Sequence, residues 1–527
     1  MSTSPFKRPV PVHTGLLTIL QIVLIWFSFI GYSFYQAPIP AVNEPHYLTK
    51  AYHYWNPEWC YEDLFLQSSN AHLVFYQTFG LLTEIFPFYE AAVFGRLIAL
   101  LLLAAGWIFC LGALLKNRWW TLPAAWIFLF FSSLGNLSGE WVVGGIESKV
   151  VAYGFLLFAW GHLLREEHRR AGAHIGLAIA FHPVIGVWGA ISLGGALVWG
   201  FYLKLNPLPW RRLLAGFGLM LITSAPGLIP ALMLLGGGNP EADYIQVYFR
   251  LGHHLDPMQF SPQAWLYYAA LILASLGLRL KLPVISRERL FARVICVAMF
   301  IALAGLVIGF RVNPVEEMQL RSFRTGLLKF YFFRLADVFV PLGLSATCTL
   351  LLAQFYATGI RSRKLIPHSF RKWAVLALLL GLLVYPYTRP GFDPSYMNRR
   401  QQQDWMEACE WIRQNTPENS LFLTTRKSWA FTWYAHRSEY FCYKNMPQDA
   451  ASLIEWHQRY HYQRNWIQQV WEDPESINAG QGLIPSAAMV NELKQETRAT
   501  HYLLHNSMRL PQAPLFRNTT FAVYELE

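Results

Sequence analysis

Residues 41–63, AVNEPHYLTKAYHYWNPEWCYED, form the stretch around which this chain is organised. They begin a few residues after an apolar segment that ends near Gln36, and they are dense in carboxylates, histidines and aromatic rings. A flexible linker would instead favour glycine, serine and scattered charge. A carboxylate held among aromatic rings at a membrane face is suited to act as a general base or a metal ligand. We therefore expect a functional loop, with Glu44 and Asp63 as its candidate catalytic carboxylates.

The composition of the 527 residues is that of a membrane protein, with 54% hydrophobic and only 14% charged residues. The apolar residues fall in long runs, and runs of about 18 or more are typical of transmembrane helices. We predict about eleven spans, at 15–35, 92–115, 119–135, 149–164, 172–183, 185–203, 212–235, 263–280, 291–310, 338–357 and 373–388. His182-Pro183 interrupts one region, which predicts either a broken pair of helices or a single kinked helix. Residues 71–86 are apolar with polar insertions, which favours a helix lying along the membrane surface.

The net charge of +11 does not indicate nucleic acid, because the basic residues cluster in the loops between spans. The first span follows Lys7 and Arg8 and lacks a small-residue cleavage site, so we interpret it as an uncleaved anchor. With a cytoplasmic N-terminus, twenty Lys and Arg lie in inside loops and nine in outside loops before residue 389. This asymmetry fits the positive-inside rule. It places the loop 38–91 and everything after residue 389 on the outer face.

The residues after 388 are of a different kind, since helical stretches alternate with short β-rich runs. Such alternation predicts a small α/β domain. The expected fold is an α-helical polytopic membrane protein, with a transmembrane domain at 1–388 and an extracytoplasmic α/β domain at 389–527. The latter has 14 basic and 15 acidic residues and no basic stripe, so it is not expected to bind nucleic acid. Cys409 and Cys442, both outside the predicted spans, could pair.

Unusual polar groups gather in the predicted outer loops. The candidate substrate-binding residues are His46 in the first loop, Glu147 and Lys149 in NLSGEWVVGGIESKV, Arg250, His253 and His254 in ADYIQVYFRLGHHLDPMQF, and Lys329, Arg334 and Asp337 in EEMQLRSFRTGLLKFYFFRLADVF. We expect a cavity with acidic groups from the first loop and basic groups from the later ones. This division suits a substrate whose leaving group is a phosphate, because cations hold the phosphate while a carboxylate takes a proton from the acceptor.

Several of these residues also have a structural interpretation. Glu44 could be a solvated acid beside a cap, since Asn43 can cap a helix that begins at Pro45. Adjacent side chains point apart, so at most one of His253 and His254 would reach a given substrate. Arg334 and Asp337 are spaced i, i+3 and could form a structural ion pair. No P-loop, GxSxG or GxGxxG motif is present, so nucleotide-dependent chemistry has no support.

Short motifs resemble the GT-C superfamily of integral-membrane glycosyltransferases, which includes protein O-mannosyltransferases and bacterial aminoarabinose transferases. Asn43-Glu44-Pro45-His46-Tyr47 is similar to the Asp-Glu-x-x-Tyr motif of that group, with Asn43 in place of the leading aspartate. The stretch 410–417, EWIRQNTP, resembles a helix-to-strand junction in the outer domains of the superfamily. GGIESKV, FRLGHHLDP and FRLAD resemble segments of an uncharacterised bacterial family near these enzymes.

The resemblance implies transfer of a sugar from a polyprenyl-phosphate carrier to an acceptor on the outer face of the plasma (inner) membrane. The carrier would lie in the membrane lipid, with its phosphate against Lys149, His253, His254, Lys329 or Arg334. Glu44 would deprotonate the acceptor hydroxyl. The resemblance names no firm cofactor and leaves a divalent metal and its ligands open, and it does not identify the acceptor.

Two other classes of function compete with this expectation. A transporter would need ionisable groups near the bilayer midplane, and His182 beside a proline is the best candidate for one. A non-catalytic assembly protein would bind a partner through the region after residue 388, and replacing the acids of 41–63 would then be silent.

Overall fold

The computed structural model describes residues 14–526 except 206–207, 236, 281–285, 359–367, 390, 392, 394, 426–428, 474–475 and 479–481. Lys7 and Arg8, which precede the first predicted span and are counted among the inside Lys and Arg, lie outside these described residues. The first 388 residues form eighteen α-helices within the described ranges. They are α1 Thr14–Gln36, α2 Glu44–Trp55, α3 Leu64–Gln67, α4 Leu73–Gln77, α5 Leu82–Ile85, α6 Phe88–Leu111, α7 Thr121–Leu134, α8 Ser148–Leu163, α9 His168–Phe181, α10 Pro183–Tyr202, α11 Trp210–Leu235, α12 Pro240–Tyr244, α13 Gly252–Leu255, α14 Pro262–Arg279, α15 Ser286–Gly309, α16 Arg321–Leu328, α17 Arg334–Thr358 and α18 His368–Val384.

Six helices in the described ranges, α1, α6, α10, α11, α15 and α17, are long and apolar enough to cross a membrane. The chain is therefore an integral membrane protein. The other five predicted spans are also helical, as α7, α8, α9, α14 and α18, but they are 14 to 18 residues long. Between α9 and α10 the helix is broken, because Pro183 starts a new helix that His182 caps by accepting from the Ile185 amide.

The predicted loop 38–91 folds into short helices packed on the bundle. The segment expected to be one surface helix is instead α4, a 3₁₀ turn at Phe79–Leu81, and α5. Lys50 of α2 is buried, and its Nζ donates to the carbonyl oxygens of Phe65 and Leu66 at 2.6 and 2.8 Å. These bonds satisfy carbonyl groups near the end of α3, as a cation at a helix C-terminus does. The loop is therefore ordered by side-chain contacts as well as by its short helices.

The region after residue 388 contains a mixed five-stranded sheet with helices around it, as an α/β fold requires. Its described elements are α19 Arg399–Asn415, β1 Leu421–Leu423, α20 Phe431–Ala435, β2 Ser438–Glu439, α21 Ala450–Glu472, β3 Ile477–Asn478, β4 Gly482–Leu483, α22 Ala487–Thr497, β5 His501–His505, β6 Phe516–Arg517 and β7 Phe521–Glu525. The sheet order is β2-β1-β5-β7-β6. Strand β1 is parallel to β2 and β5, while β7 is antiparallel to β5 and β6.

This region packs against the loops of the helical bundle. The Phe88 and Trp433 rings stack with centroids 5.1 Å apart, and Ala242 and Ile245 belong to the apolar core of the C-terminal sheet. The division at residue 388 stays a prediction. Cys409 and Cys442, both in described segments, are buried thiols that form no disulfide with each other.

Candidate functional site

A cavity of about 550 Å³ lies between the bundle and the C-terminal region. One part of its wall is apolar and comes from the membrane helices α10 and α11. Those side chains are Val184, Val187, Ile191, Leu228, Ala231, Leu232 and Leu235. The polar lining residues are Asn43, His46, Tyr47, His72, Glu147, Lys149, His182, Asp243, Arg250, His254, Lys329, Arg334 and Lys444. The cavity is therefore amphiphilic.

Seven of the residues expected to bind substrate line this cavity: His46, Glu147, Lys149, Arg250, His254, Lys329 and Arg334. Four predicted residues, Glu44, Asp63, His253 and Asp337, are not in its lining. His253 is exposed, and its ring lies against the ring of His254 with centroids 4.0 Å apart. Only His254 of the pair is in the lining, although the two rings lie together rather than pointing apart as predicted.

Glu44 is fully buried and its carboxylate is bound on every side. Arg96 of α6 donates from Nε and Nη2 at 2.6 and 2.8 Å, and the amides of Ala41 and Ile146 donate at 2.7 and 2.8 Å. A Cβ on Gly145 would come within 3.0 Å of Glu44 Oε1, so this close approach requires glycine. The catalytic role of Glu44 stays a prediction from sequence, and its contacts favour a structural role.

Asp63 and Asp337 also serve as anchors for backbone segments. Asp63 caps α3 by accepting from the Leu66 amide at 3.1 Å and accepts from the Glu439 amide at 3.2 Å. Asp337 accepts from the amides of Leu137 and Ser138 at 2.7 and 2.8 Å. Because these carboxylates hold loops in place, the expectation that the first loop supplies the acids of the cavity has no geometric support.

Two carboxylates line the cavity within the described residues: the half-buried Asp243, which lies beside Lys329, and the buried Glu147, which precedes α8. Asn43 donates to its Oε1 at 2.8 Å, and Lys149 Nζ lies 3.2 Å from its Oε2. Burial raises the pKa of Glu147, whereas Lys149 and the Asn43 hydrogen bond act in the opposite direction. The expected helix begins at Glu44 rather than Pro45, and the Asn43 side chain makes no capping bond and donates to Glu147 instead.

Glu140 lies behind Glu147 and binds two cavity cations. Its Oε2 is 3.5 Å from Lys149 Nζ and 3.4 Å from Arg334 Nε. The i, i+3 pairing of Arg334 with Asp337 is thus replaced by pairing with Glu140, because Asp337 is occupied by the 137–140 backbone. Lys329 is similarly paired, since its Nζ lies 2.9 Å from Asp243. Three of the five cavity cations are therefore neutralised within the protein.

Arg250 and Lys444 differ from those three cations. Arg250 donates from Nε to the Tyr443 carbonyl at 2.9 Å, and Lys444 comes from the C-terminal region. Among the described residues, neither side chain forms an ion pair with a carboxylate. Burial and the charge of Arg250 lower the pKa of Lys444 to about 8, so its ammonium is mostly charged at neutral pH. Their charges are therefore not balanced by a described carboxylate, although Arg250 also donates from Nη2 to the Lys444 carbonyl at 3.4 Å.

Neutral histidines complete the polar wall. Burial, followed by the charges of His72 and Lys444, holds the pKa of His46 well below its usual value. His72 lies 3.3 Å from the Tyr47 hydroxyl through Nε2, and burial lowers its pKa to about 4. The rings of His72 and His182 have centroids 5.2 Å apart. His182, the candidate for a transport site, therefore belongs to this same cavity.

Sequence reasoning did not assign His72 or Lys444 to the site. Lys444 carries no local signal, because it stands about 190 residues after Arg250 and in another predicted domain. In the described part of the chain, no group of three or more His, Cys, Asp or Glu side chains is arranged to hold a metal ion.

Comparison with known proteins gives matches of fold and of one short segment. A family model described as a domain of unknown function (DUF6798) matches residues 403–462. No curated protein matches the chain. Among solved structures, the chain is similar to ArnT from Cupriavidus metallidurans bound to undecaprenyl phosphate, with 14% identity, a TM-score of 0.45 and 98% of each chain covered.

Two further solved structures are similar. One is the archaeal oligosaccharyltransferase AglB from Archaeoglobus fulgidus in complex with an inhibitory peptide and a dolichol-phosphate, at 11% identity and TM-score 0.42, covering 94% of this chain and 70% of that one. The other is the arabinofuranosyltransferase AftD from Mycobacteria, at 14% identity and TM-score 0.47, covering 98% of this chain and 40% of that one. At these identities the similarity concerns the fold alone. ArnT, AglB and AftD are GT-C glycosyltransferases, the superfamily that the sequence motifs of this chain resemble.

Proposed function

We propose that this protein is a membrane glycosyltransferase that moves a sugar from a polyprenyl-phosphate carrier to an acceptor hydroxyl. The observation that carries the proposal is the division of one cavity into an apolar membrane wall and a cationic wall. A polyprenyl phosphate has the same division, with an isoprenoid chain that prefers the membrane and an anionic head. The Lys and Arg asymmetry of the loops supports an outer-face location for the reaction.

The phosphate is assigned to Arg250 and Lys444. Lys149, Lys329 and Arg334 already lie beside carboxylates of the protein, whereas these two cations lack one among the described residues. A phosphate between a guanidinium and an ammonium would gain charge-assisted hydrogen bonds, which are about twice as strong as neutral ones. The same contacts would stabilise the charge that develops on the leaving phosphate.

The general base is assigned to Glu147, which is buried, faces the cavity and has a raised pKa. A carboxylate whose pKa is raised toward neutrality is a better proton acceptor while it is still ionised. Glu147 would take the proton of the acceptor hydroxyl as that oxygen attacks the anomeric carbon. The bond between the anomeric carbon and the phosphate oxygen breaks, and the electron pair leaves on the lipid phosphate.

This assignment can be tested by ligand binding in detergent. Undecaprenyl phosphate, the ligand of one similar ArnT structure, is the probe, with undecaprenol and phosphatidylglycerol as comparison lipids. We expect saturable binding of the phosphate lipid, weakened about tenfold to more than hundredfold in Arg250→Met and Lys444→Met, as loss of a bond to a charged group predicts. Equal binding of undecaprenol, or unchanged affinity in both folded variants, would remove the basis of the proposal.

A further inference from the structure

A pair of half-buried histidines on α21 has the nitrogen spacing of a metal chelate. His457 and His461 stand four residues apart on α21, so they project from one face of the helix. Their Nε2 atoms lie 3.0 Å apart, and their rings are inclined at 87°. Two imidazole nitrogens bound at 2.0–2.1 Å to one metal ion are separated by about 2.9–3.4 Å for bond angles between square and tetrahedral.

The two rings are held in this arrangement by neighbouring aromatic side chains. Phe249 packs edge-on against His457 with centroids 4.6 Å apart and contacts His461 at 5.9 Å. The Tyr460 ring lies 5.1 Å from His461. Because the two Nε2 atoms already lie close together and the rings are packed, binding would cost little side-chain entropy.

Both imidazoles are partly exposed, so an ion in solvent can reach them.

We propose that His457 and His461 chelate one divalent transition-metal ion of the Zn²⁺, Ni²⁺ or Cu²⁺ class, with water at the remaining positions. Imidazole is the side chain that these ions prefer, whereas Mg²⁺ and Ca²⁺ prefer oxygen. The described chain offers two protein ligands here rather than three or more, so the site has open coordination positions. It is separate from the cavity, whose proposed chemistry uses no metal.

The test is metal titration of the full-length protein in detergent, stripped with a chelator and free of any histidine tag. We expect one Zn²⁺ per chain by calorimetry and a melting temperature that rises with Zn²⁺ but not with Mg²⁺. His457→Gln and His461→Gln should each weaken Zn²⁺ binding at least about tenfold, since even loss of an outer-shell partner costs that much. His505→Gln, which alters an exposed histidine on β5, should bind Zn²⁺ like the wild type.

The alternative is a simple hydrogen bond in which the two imidazoles share one proton. In that case the wild type would not bind Zn²⁺, or both variants would bind it with unchanged stoichiometry and affinity, and either result would overturn the proposal. Melting temperatures measured with chelator present distinguish loss of metal from loss of fold. Zn²⁺ binding at this pair is independent of sugar transfer. His457→Gln and His461→Gln should therefore retain sugar transfer.

Discussion

Both carboxylate oxygens of Glu44 accept hydrogen bonds from the Arg96 guanidinium, at 2.6 and 2.8 Å, and the two side chains are 0% and 1% exposed. This ion pair joins the start of α2 to the membrane helix α6. Glu44 Oε1 also accepts from the Ile146 amide, so one carboxylate fixes the segment that carries Glu147. Glu44, the acid singled out in the sequence, thus contacts the segment that carries Glu147, whereas Glu147 itself lines the cavity.

The first prediction is that Glu44→Gln lowers stability. Removing one partner of a buried ion pair leaves an uncompensated charge on Arg96, at a cost of about 3–5 kcal/mol. Thermal or denaturant unfolding in detergent measures this, with Glu62→Gln, an exposed acid of the same loop, as control. Unchanged melting together with lost sugar transfer would instead support the sequence-based assignment of Glu44 as the base.

The second prediction is that Glu147→Gln lowers transfer about 10²–10⁴-fold, the usual contribution of a general base. The glutamine keeps an oxygen that can accept from Asn43, and Lys149 keeps Glu140 as a partner, so the fold and the affinity for undecaprenyl phosphate should persist. Glu58→Gln, which changes an exposed acid, is the matched control. Full turnover in Glu147→Gln would show that the base is another group.

The third prediction concerns pH. The pKa of Lys444 is lowered to about 8, so its ammonium is present below that pH and is lost above it. Affinity for undecaprenyl phosphate should therefore fall as the pH rises through about 8. Lys444→Arg stays charged over this range, and its affinity should not show that fall. If wild type and Lys444→Arg have the same pH dependence, Lys444 does not contact the phosphate.

The fourth prediction is that the C-terminal region lies outside the cytoplasm, as the twenty-to-nine bias in Lys and Arg indicates. Alkaline phosphatase fused after the last residue should be active, because it folds only when exported. A reporter that works only in the cytoplasm should be inactive at the same position. The reverse pair of results would invert the orientation and move the cavity to the inner face.

The fold could be predicted from sequence to the extent that it depends on local pattern. Apolar runs located the helices, Pro183 marked the break before α10, and alternation after residue 388 indicated the α/β region. The prediction of a single surface helix at 71–86 was wrong, since the segment forms α4, a 3₁₀ turn and α5.

The site could be predicted only in part, because its roles depend on partners that are distant in the chain. Glu147 and Lys149 stand in one short motif, so sequence found them together. Glu44 is 52 residues from Arg96, and a motif does not reveal that its carboxylate is already bound. Lys444 reaches the cavity only because the C-terminal region packs on the segment before Arg250.

The most direct test of the central claim is an electron cryomicroscopy structure of the full-length protein with undecaprenyl phosphate. The account predicts phosphate density within hydrogen-bond distance of Arg250 and Lys444, with the isoprenoid chain along α10 and α11. It also predicts that Glu147 faces the phosphate from the opposite side and that Glu44 remains paired with Arg96. Phosphate density away from Arg250 and Lys444, or a lipid chain that avoids α10 and α11, would contradict the account.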